Sequence, residues 1–127
     1  MPATKIVFYQ EQKGGAVPVV DWLNELKRKN PKAYAKCFGR IDRLSAEGHE
    51  LRRPAADYLR DGIYELRAKY LNVQYRILYY FDGQNIAVLN HSIIKKTSAV
   101  PKKDIELAIK RKEKFEQDPK RHTYTGR

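Results

Sequence analysis

The chain has 127 residues and a formal charge of +11, with 26 Lys and Arg against 15 Asp and Glu. This length provides one hydrophobic core but hardly two, so we expect a single domain over residues 1–127. Such an excess of positive charge is typical of nucleic-acid-binding proteins, although a basic protein with merely solvated lysines has the same composition. The single cysteine, Cys37, excludes an internal disulfide and a cysteine-based zinc site.

The first part of the chain predicts one strand followed by two helices. We expect the strand over residues 5–9 and the first helix over residues 17–29, where apolar side chains recur at helical spacing. A proline at position 31 suits the first turn of a second helix, expected over residues 31–47 and ended by Gly48. The chain start lacks a signal-peptide core and no apolar run reaches transmembrane length, so we expect a cytoplasmic protein without a membrane partner.

The rest of the chain predicts a polar connector, three strands and one helix. The connector covers residues 49–62, with a possible helical turn over 55–59. Three strands begin at Ile63, Val73 and Ile86, separated by short turns, and the last helix begins at Lys102. Residues 118–127 lack periodicity and are expected to form a mobile basic tail. The predicted fold is α+β: a small antiparallel sheet of about four strands, with two N-terminal helices and a C-terminal helix on one face.

Alternation along the first two of these three strands places cations together. Arg67 and Arg76 lie directly opposite each other if a two-residue turn at 71–72 joins the strands, whereas a three-residue loop would turn Arg76 to the other face. The two-residue turn also gathers the apolar side chains on one face, which favours it. Because facing like charges repel each other, this arrangement indicates that an anion binds there, and a phosphodiester is the obvious one.

The same face is expected to carry a larger set of polar side chains. Guanidinium groups stabilise charge on phosphate oxygens, while histidine, carboxylate, tyrosine or lysine side chains move protons. The alternative is an ordinary charged sheet face in which His91 is packed structurally and Glu65 is a salt-bridge partner of Arg67 or Lys69. Tyr80 is a candidate for stacking on a nucleobase. The predicted face comprises Glu65, Arg67, Lys69, Gln74, Arg76, Tyr80, Leu89, His91, Ile93 and Lys95.

The sequence contains no stronger catalytic signature. It has no phosphate-binding Gly-rich loop, no nucleophile elbow and no cluster of metal ligands, and its three histidines are widely separated. We therefore expect neither a cofactor nor a metal.

Four motifs in order resemble the phage-derived Gp49-like, HigB-type toxins of the RelE/ParE superfamily. They are DGIYELR at 61–67, YRILY at 75–79, LNHSIIKKT at 89–97, and Pro101 followed by a helix that carries Ala108 and Arg111. The resemblance extends over nearly the whole chain. It implies the toxin of a type II toxin–antitoxin pair, which enters the ribosomal A site of the 70S ribosome and cleaves mRNA there without a metal.

The resemblance also implies roles for particular residues. The ribose 2′-hydroxyl attacks the adjacent phosphate, and Arg67 and Arg76 are expected to stabilise the phosphate and the transition state. Lys95 or Lys96 is expected to protonate the leaving oxygen or bind phosphate, and His91 is typical of this subgroup. Glu65 stands where some relatives carry a lysine. The expected RNA-binding residues are Lys69, Tyr80 and Glu65.

The implied partners are the ribosome, its mRNA and a helix-turn-helix antitoxin of the HigA-like type. Operator DNA would be contacted only through the toxin–antitoxin complex. Two alternatives are a non-enzymatic ParE-like toxin that inhibits gyrase and an inert nucleic-acid-binding module. The basic cluster on the sheet argues against the first, because a gyrase inhibitor does not need facing arginines there. The intact set of Arg67, Arg76 and Lys95 argues against the second.

Overall fold

The computed structural model describes residues 3–95 and 99–125. Within them, no helix is long and apolar enough to cross a membrane. The strands are β1 (Lys5–Phe8), β2 (Ala56–Arg60), β3 (Ile63–Tyr70), β4 (Val73–Phe81) and β5 (Ile86–Lys95). The helices are α1 (Pro18–Lys29), α2 (Pro31–Glu47), α3 (Lys102–Gln117) and α4 (Pro119–His122), with a 3-10 turn at Gly48–Glu50.

All five strands form one mixed sheet in the order β1-β5-β4-β3-β2. The α+β single domain is as predicted, but the sheet has five strands rather than about four. It is also not purely antiparallel, because β1 runs parallel to β5. The two strands are separated along the chain by α1, α2 and three strands, a long-range pairing that local sequence patterns do not encode.

Helices cover both faces of the sheet, which corrects the expectation that they lie on one face. The helices α1 and α2 pack on the first face, over a core that includes Leu44, Leu66 and Ile77. The helix α3 packs on the opposite face, where Ala108 and Phe115 lie in a second core. Because α3 covers only part of that face, it divides the face into a buried half and an open half.

The predicted connector before β3 contains a strand, β2, rather than a helical turn. A two-residue turn at Asp61 and Gly62 joins β2 to β3, so that Arg60 pairs with Ile63. Both turn residues have positive φ, 52° and 82°, which is the type I′ geometry that matches the twist of a hairpin. The dipeptide Asp61-Gly62 is therefore a hairpin-turn signal that the sequence already contained.

The predicted register of β3 and β4 is confirmed. Tyr70 pairs with Val73 across a two-residue turn, and Arg67 lies directly opposite Arg76. The apolar partition is also confirmed, since the alternate side chains of both strands pack beneath α1 and α2. They are Tyr64, Leu66, Ala68, Tyr70, Val73, Tyr75, Ile77, Tyr79 and Phe81.

A β-bulge at Asn90 changes one prediction for β5. Tyr79 pairs with Leu89, whereas the preceding residue, Leu78, pairs with His91. The extra residue reverses the alternation of side chains at this point. Leu89 therefore lies in the core beneath α1 and α2, and its predicted place on the arginine face is wrong. Beyond the bulge, Ile93 pairs with Arg76, as expected for that face.

The segment for which we predicted a mobile tail is docked over residues 118–125. It contains α4 and an antiparallel bridge between Tyr9 and Thr123. His122 is buried, and its ring stacks on that of Tyr9 with centroids 5.2 Å apart. The segment therefore pairs with the chain at the end of β1 and just beyond it.

Two glycine substitutions test the hairpin geometry with opposite expected signs. Gly62→Ala should lower the free energy of unfolding by about 1–2 kcal/mol, because an L-residue is strained at φ 82°. Gly39→Ala should raise it by about 0.5–1 kcal/mol, because Gly39 lies inside α2 with open space where a Cβ would project. Urea unfolding of both variants measures the difference, and equal shifts of one sign would contradict the turn assignment.

Candidate nucleic-acid interface

One carboxylate lies between the two facing arginines. Glu65 Oε1 is 2.9 Å from Nε of Arg76, and its Oε2 accepts a hydrogen bond from a terminal nitrogen of Arg67 at 2.8 Å. The contact to Arg76 is a short ion pair between two buried side chains. Glu65 therefore takes the structural role considered for it, as a counter-ion shared by both arginines. Its side chain is only 4% exposed, so the predicted direct contact with RNA is wrong.

Arg76 is almost completely enclosed. Its side chain is 2% exposed, and its terminal nitrogens donate to the carbonyl of Tyr75 at 3.3 Å and to the side-chain oxygen of Gln74. Burial lowers the pKa of Arg76 from its ordinary value, and the nearby Glu65 carboxylate opposes that effect. A guanidinium keeps its charge even so. One carboxylate offsets only one of the two guanidinium charges, so the cluster of Glu65, Arg67 and Arg76 retains a net positive charge.

The helix α3 decides which predicted residues remain accessible. Tyr80 is fully buried beneath α3, with its ring 6.1 Å from that of Phe115 in an edge-on contact. Burial also raises the pKa of its hydroxyl. The expectation that Tyr80 stacks on a base is therefore wrong. Arg67 lies on the open half of the face, with 24% of its side chain exposed.

The open half contains a shallow depression of about 280 Å³. Arg67, Lys69, Gln74 and Arg76 line it from the sheet, together with Ala68, Pro54 and Arg40. Lys95 pairs with Gln74 across β4 and β5, which places it beside this depression at the end of β5. The other candidate lysine, Lys96, lies outside the described residues. The structure thus brings together Arg67, Arg76 and Lys69, with Lys95 next to them.

His91 belongs to a different cluster, beside α3. Its Nε2 lies 2.8 Å from Oδ1 of Asp104, and its Nδ1 lies 3.3 Å from a terminal nitrogen of Arg111. Since Arg111 can only donate, Nδ1 accepts and Nε2–H donates, which is the neutral form of the ring. Burial lowers the pKa of His91; Asp104 opposes this and Arg111 adds to it. Both ring nitrogens are occupied, as in the structural role considered for this histidine.

The same cluster continues toward β1. Arg111 donates to the carbonyl of Asn90 at 2.7 Å and to Glu11 at 3.1 Å, and Glu11 accepts from the hydroxyl of Tyr9 at 3.1 Å. These contacts tie α3, the bulge of β5 and the segment after β1 together. His91 therefore lies within the network that holds α3 on the sheet.

Sequence reasoning missed Arg40, which is part of the depression. Its Nε donates to the main-chain carbonyl of Arg67 at 2.9 Å, from a helix that lies 27 residues earlier in the chain. The local sequence does not predict this contact, because α2 carries several cations and nothing in the pattern distinguishes Arg40 from the others. Within residues 3–95 and 99–125, no three His, Cys, Asp or Glu side chains form a group able to hold a metal ion.

The sequence model of the family described as phage-derived protein Gp49-like (DUF891) matches residues 21–113. The match covers well over half of the chain. The chain is a member of the Gp49-like family. The matched range runs from α1 into α3 and so includes Glu65, Arg67, Arg76 and His91, while β1 and α4 lie outside it. No curated protein matches the chain.

Replacing Glu65 in this Gp49-like protein tests whether it is the shared counter-ion. Glu65→Gln should lower the free energy of unfolding by about 3–5 kcal/mol, because it leaves the buried Arg76 uncompensated. The matched control is Glu25→Gln, which breaks exposed pairs with Arg28 and Lys29 on α1 and should leave the unfolding midpoint nearly unchanged. Urea unfolding measures both, and similar small shifts would contradict the assignment.

The His91 cluster predicts a pH dependence of stability. The pKa of His91 is lower in the folded protein than the value of about 6.5 expected for an unfolded chain. The stability that depends on a neutral His91 is therefore fully present above about pH 6.5 and is lost as the pH falls below it. His91→Gln should flatten the decline in unfolding midpoint between about pH 7.5 and pH 5.5. His49→Gln, outside the cluster, should retain the decline, and an equal slope in all three proteins would contradict the neutral His91.

Proposed function

We propose that this protein is the toxin of a type II toxin–antitoxin system and cleaves mRNA on the ribosome. The Gp49-like family is associated with toxins of such systems, which supports the general class. The observation that carries the finer proposal is the pair of facing arginines around one buried carboxylate. Its remaining positive charge faces an open basic depression, the environment that a phosphodiester requires.

The proposed reaction is an internal transesterification. The ribose 2′-hydroxyl loses its proton to solvent as its oxygen attacks the adjacent phosphorus, and the bond to the 5′-oxygen breaks. The leaving oxygen takes up a proton, so that the products carry a 2′,3′-cyclic phosphate and a 5′-hydroxyl. Arg67 would bind a phosphate oxygen directly, and Arg76 would supply a fixed positive charge behind it. Such preorganised charges stabilise the transition state because they need no rearrangement when charge develops.

Proton transfer is the second requirement of this reaction. Lys95, at the end of β5, is our candidate for protonating the leaving 5′-oxygen, and Lys96 is the alternative. Glu65 is bound to both arginines, and His91, beside α3, is engaged by Asp104 and Arg111. Neither side chain is therefore free to accept the proton of the 2′-hydroxyl as a general base. This supports a dependence on the ribosome, which would orient the 2′-hydroxyl for attack.

A toxin of this type requires a neutralising partner. We propose a helix-turn-helix antitoxin, with operator DNA contacted only through the complex of the two proteins. A non-enzymatic toxin that inhibits gyrase and an inert nucleic-acid-binding module are the remaining alternatives, and the test below distinguishes them.

The test is a translation reaction with purified protein, in which primer extension maps the 5′ ends of the mRNA. Arg67→Gln should reduce the cleavage rate by about 100-fold or more, because it removes one transition-state contact. Arg67 is the better position to change than Arg76, whose burial makes its removal a stability experiment as well. The matched control is Arg28→Gln on α1, an exposed arginine paired with Glu25, which should cut like the wild type.

Discrete cuts within translated codons, reduced by Arg67→Gln alone, are the expected result. Equal cutting by Arg67→Gln and the wild type would remove Arg67 from the mechanism. Intact mRNA with the wild type would contradict the endoribonuclease; a supercoiling assay with gyrase then separates a gyrase inhibitor from an inert module.

A further inference from the structure

The basic depression does not end at the sheet. A second depression of about 370 Å³ adjoins it between α2 and β3, and Arg40, Ala68 and Lys69 line both. The second one is also lined by Lys36 and Arg43, with Ala35 and Gly39. We call the two together the α2–β3 groove.

The groove exists because β2 is shorter than β3. Ala56, the first residue of β2, pairs with Leu66, and the N–H of Arg67 still donates to the carbonyl of Ala55 at 2.7 Å. Beyond this point no strand of the described residues pairs with β3 on that side, and Arg40 reaches from α2 to the Arg67 carbonyl instead. Arg40 thus bridges the open edge of β3 and joins the two depressions.

The wall that α2 contributes is regular. Lys36, Arg40 and Arg43 are four and three residues apart, so they follow one face of the helix over about 10 Å of its axis. Gly39 lies between them, and nothing lies within 4 Å of where its Cβ would be. Among the described residues, neither Lys36 nor Lys69 forms an ion pair, while Arg43 is paired with Glu47 at 2.9 Å on the surface. Lys36 and Lys69 are thus available to a ligand, and the Arg43 pair is exposed to solvent.

We propose that the α2–β3 groove holds the backbone phosphates of the RNA strand on one side of the cleaved bond. The inference rests on the proposed function, since it takes the Arg67–Arg76 cluster as the position of the scissile phosphate. A continuous row of cations with no apolar side chain larger than alanine, apart from Pro54, suits a sugar–phosphate chain. It does not suit a peptide, which would need apolar pockets. Arg40 acts as a positioning residue for the Arg67 backbone and as the link between the two phosphate sites.

The experiment compares RNA binding by two matched double variants. Lys36→Gln with Arg43→Gln removes one lysine and one arginine from the groove. The control, Lys29→Gln with Arg28→Gln, removes the same two types from the exposed surface of α1, where both pair with Glu25, as Arg43 does with Glu47. The probes are fluorescent, 2′-O-methylated single-stranded RNAs, which cannot be cleaved by 2′-hydroxyl attack. One probe is a dinucleotide and another is several nucleotides longer, and binding is followed by anisotropy at several salt concentrations.

The expected result is a loss confined to the longer RNA. The groove variant should bind it more weakly. The plot of log K against log salt should become less steep by about 1.4, because two phosphate contacts are lost and each contributes about 0.7 for a single strand. Dinucleotide binding should stay unchanged in both variants. Equal binding of the longer RNA by the groove variant and the control would overturn the inference.

A second arm uses 70S ribosomes without mRNA. If the groove variant loses affinity for the ribosome but keeps its affinity for the longer RNA, the groove contacts ribosomal RNA and the proposal for the substrate strand is overturned. The groove proposal and the proposed endonuclease activity can fail independently of each other. A wild type that binds RNA through the groove yet leaves mRNA intact would defeat the endonuclease alone.

Discussion

The carboxylate of Glu65 is the constraint on which the basic site depends. Arg67 and Arg76 face each other on neighbouring strands, an arrangement that repulsion would disfavour without a charge between them. Arg76 is also buried, and a buried cation is costly unless it is paired. Glu65 meets both requirements with its two oxygens, yet one carboxylate cannot neutralise two guanidinium groups. The fold therefore stabilises a cluster that retains a net positive charge.

The helix α3 determines how much of that face a ligand can reach. It covers Tyr80 with Phe115 and leaves the end of the sheet around Arg67 open. The cluster of Asp104, His91 and Arg111 holds the helix in this position. Two polar clusters on the same sheet face thus differ in role. The His91 cluster attaches α3 to the sheet, and the cluster of Glu65, Arg67 and Arg76 leaves positive charge at the open part of the face.

The alternation of side chains predicted much of this arrangement. The register of β3 and β4, and with it the facing arginines, follows from period-two patterning and a two-residue turn. The strand β2 could also have been predicted, from Asp61 and Gly62. The bulge at Asn90 and the reach of Arg40 across the end of β3 could not, because they depend on long-range packing that no local pattern contains. Burial of Tyr80 was missed because α3 was expected on the opposite face.

In the function that we propose, these arginines support attack by a ribose 2′-hydroxyl on the adjacent phosphate. The chemical nature of the new RNA ends, formed by the wild type on translating ribosomes, tests it most directly. We expect 3′ fragments that begin with a 5′-hydroxyl and 5′ fragments that end in a 2′,3′-cyclic phosphate, with no cut where a single 2′-deoxynucleotide replaces the attacking ribose. Fragments with a 3′-hydroxyl and a 5′-phosphate, or cleavage that survives the deoxy substitution, would contradict it.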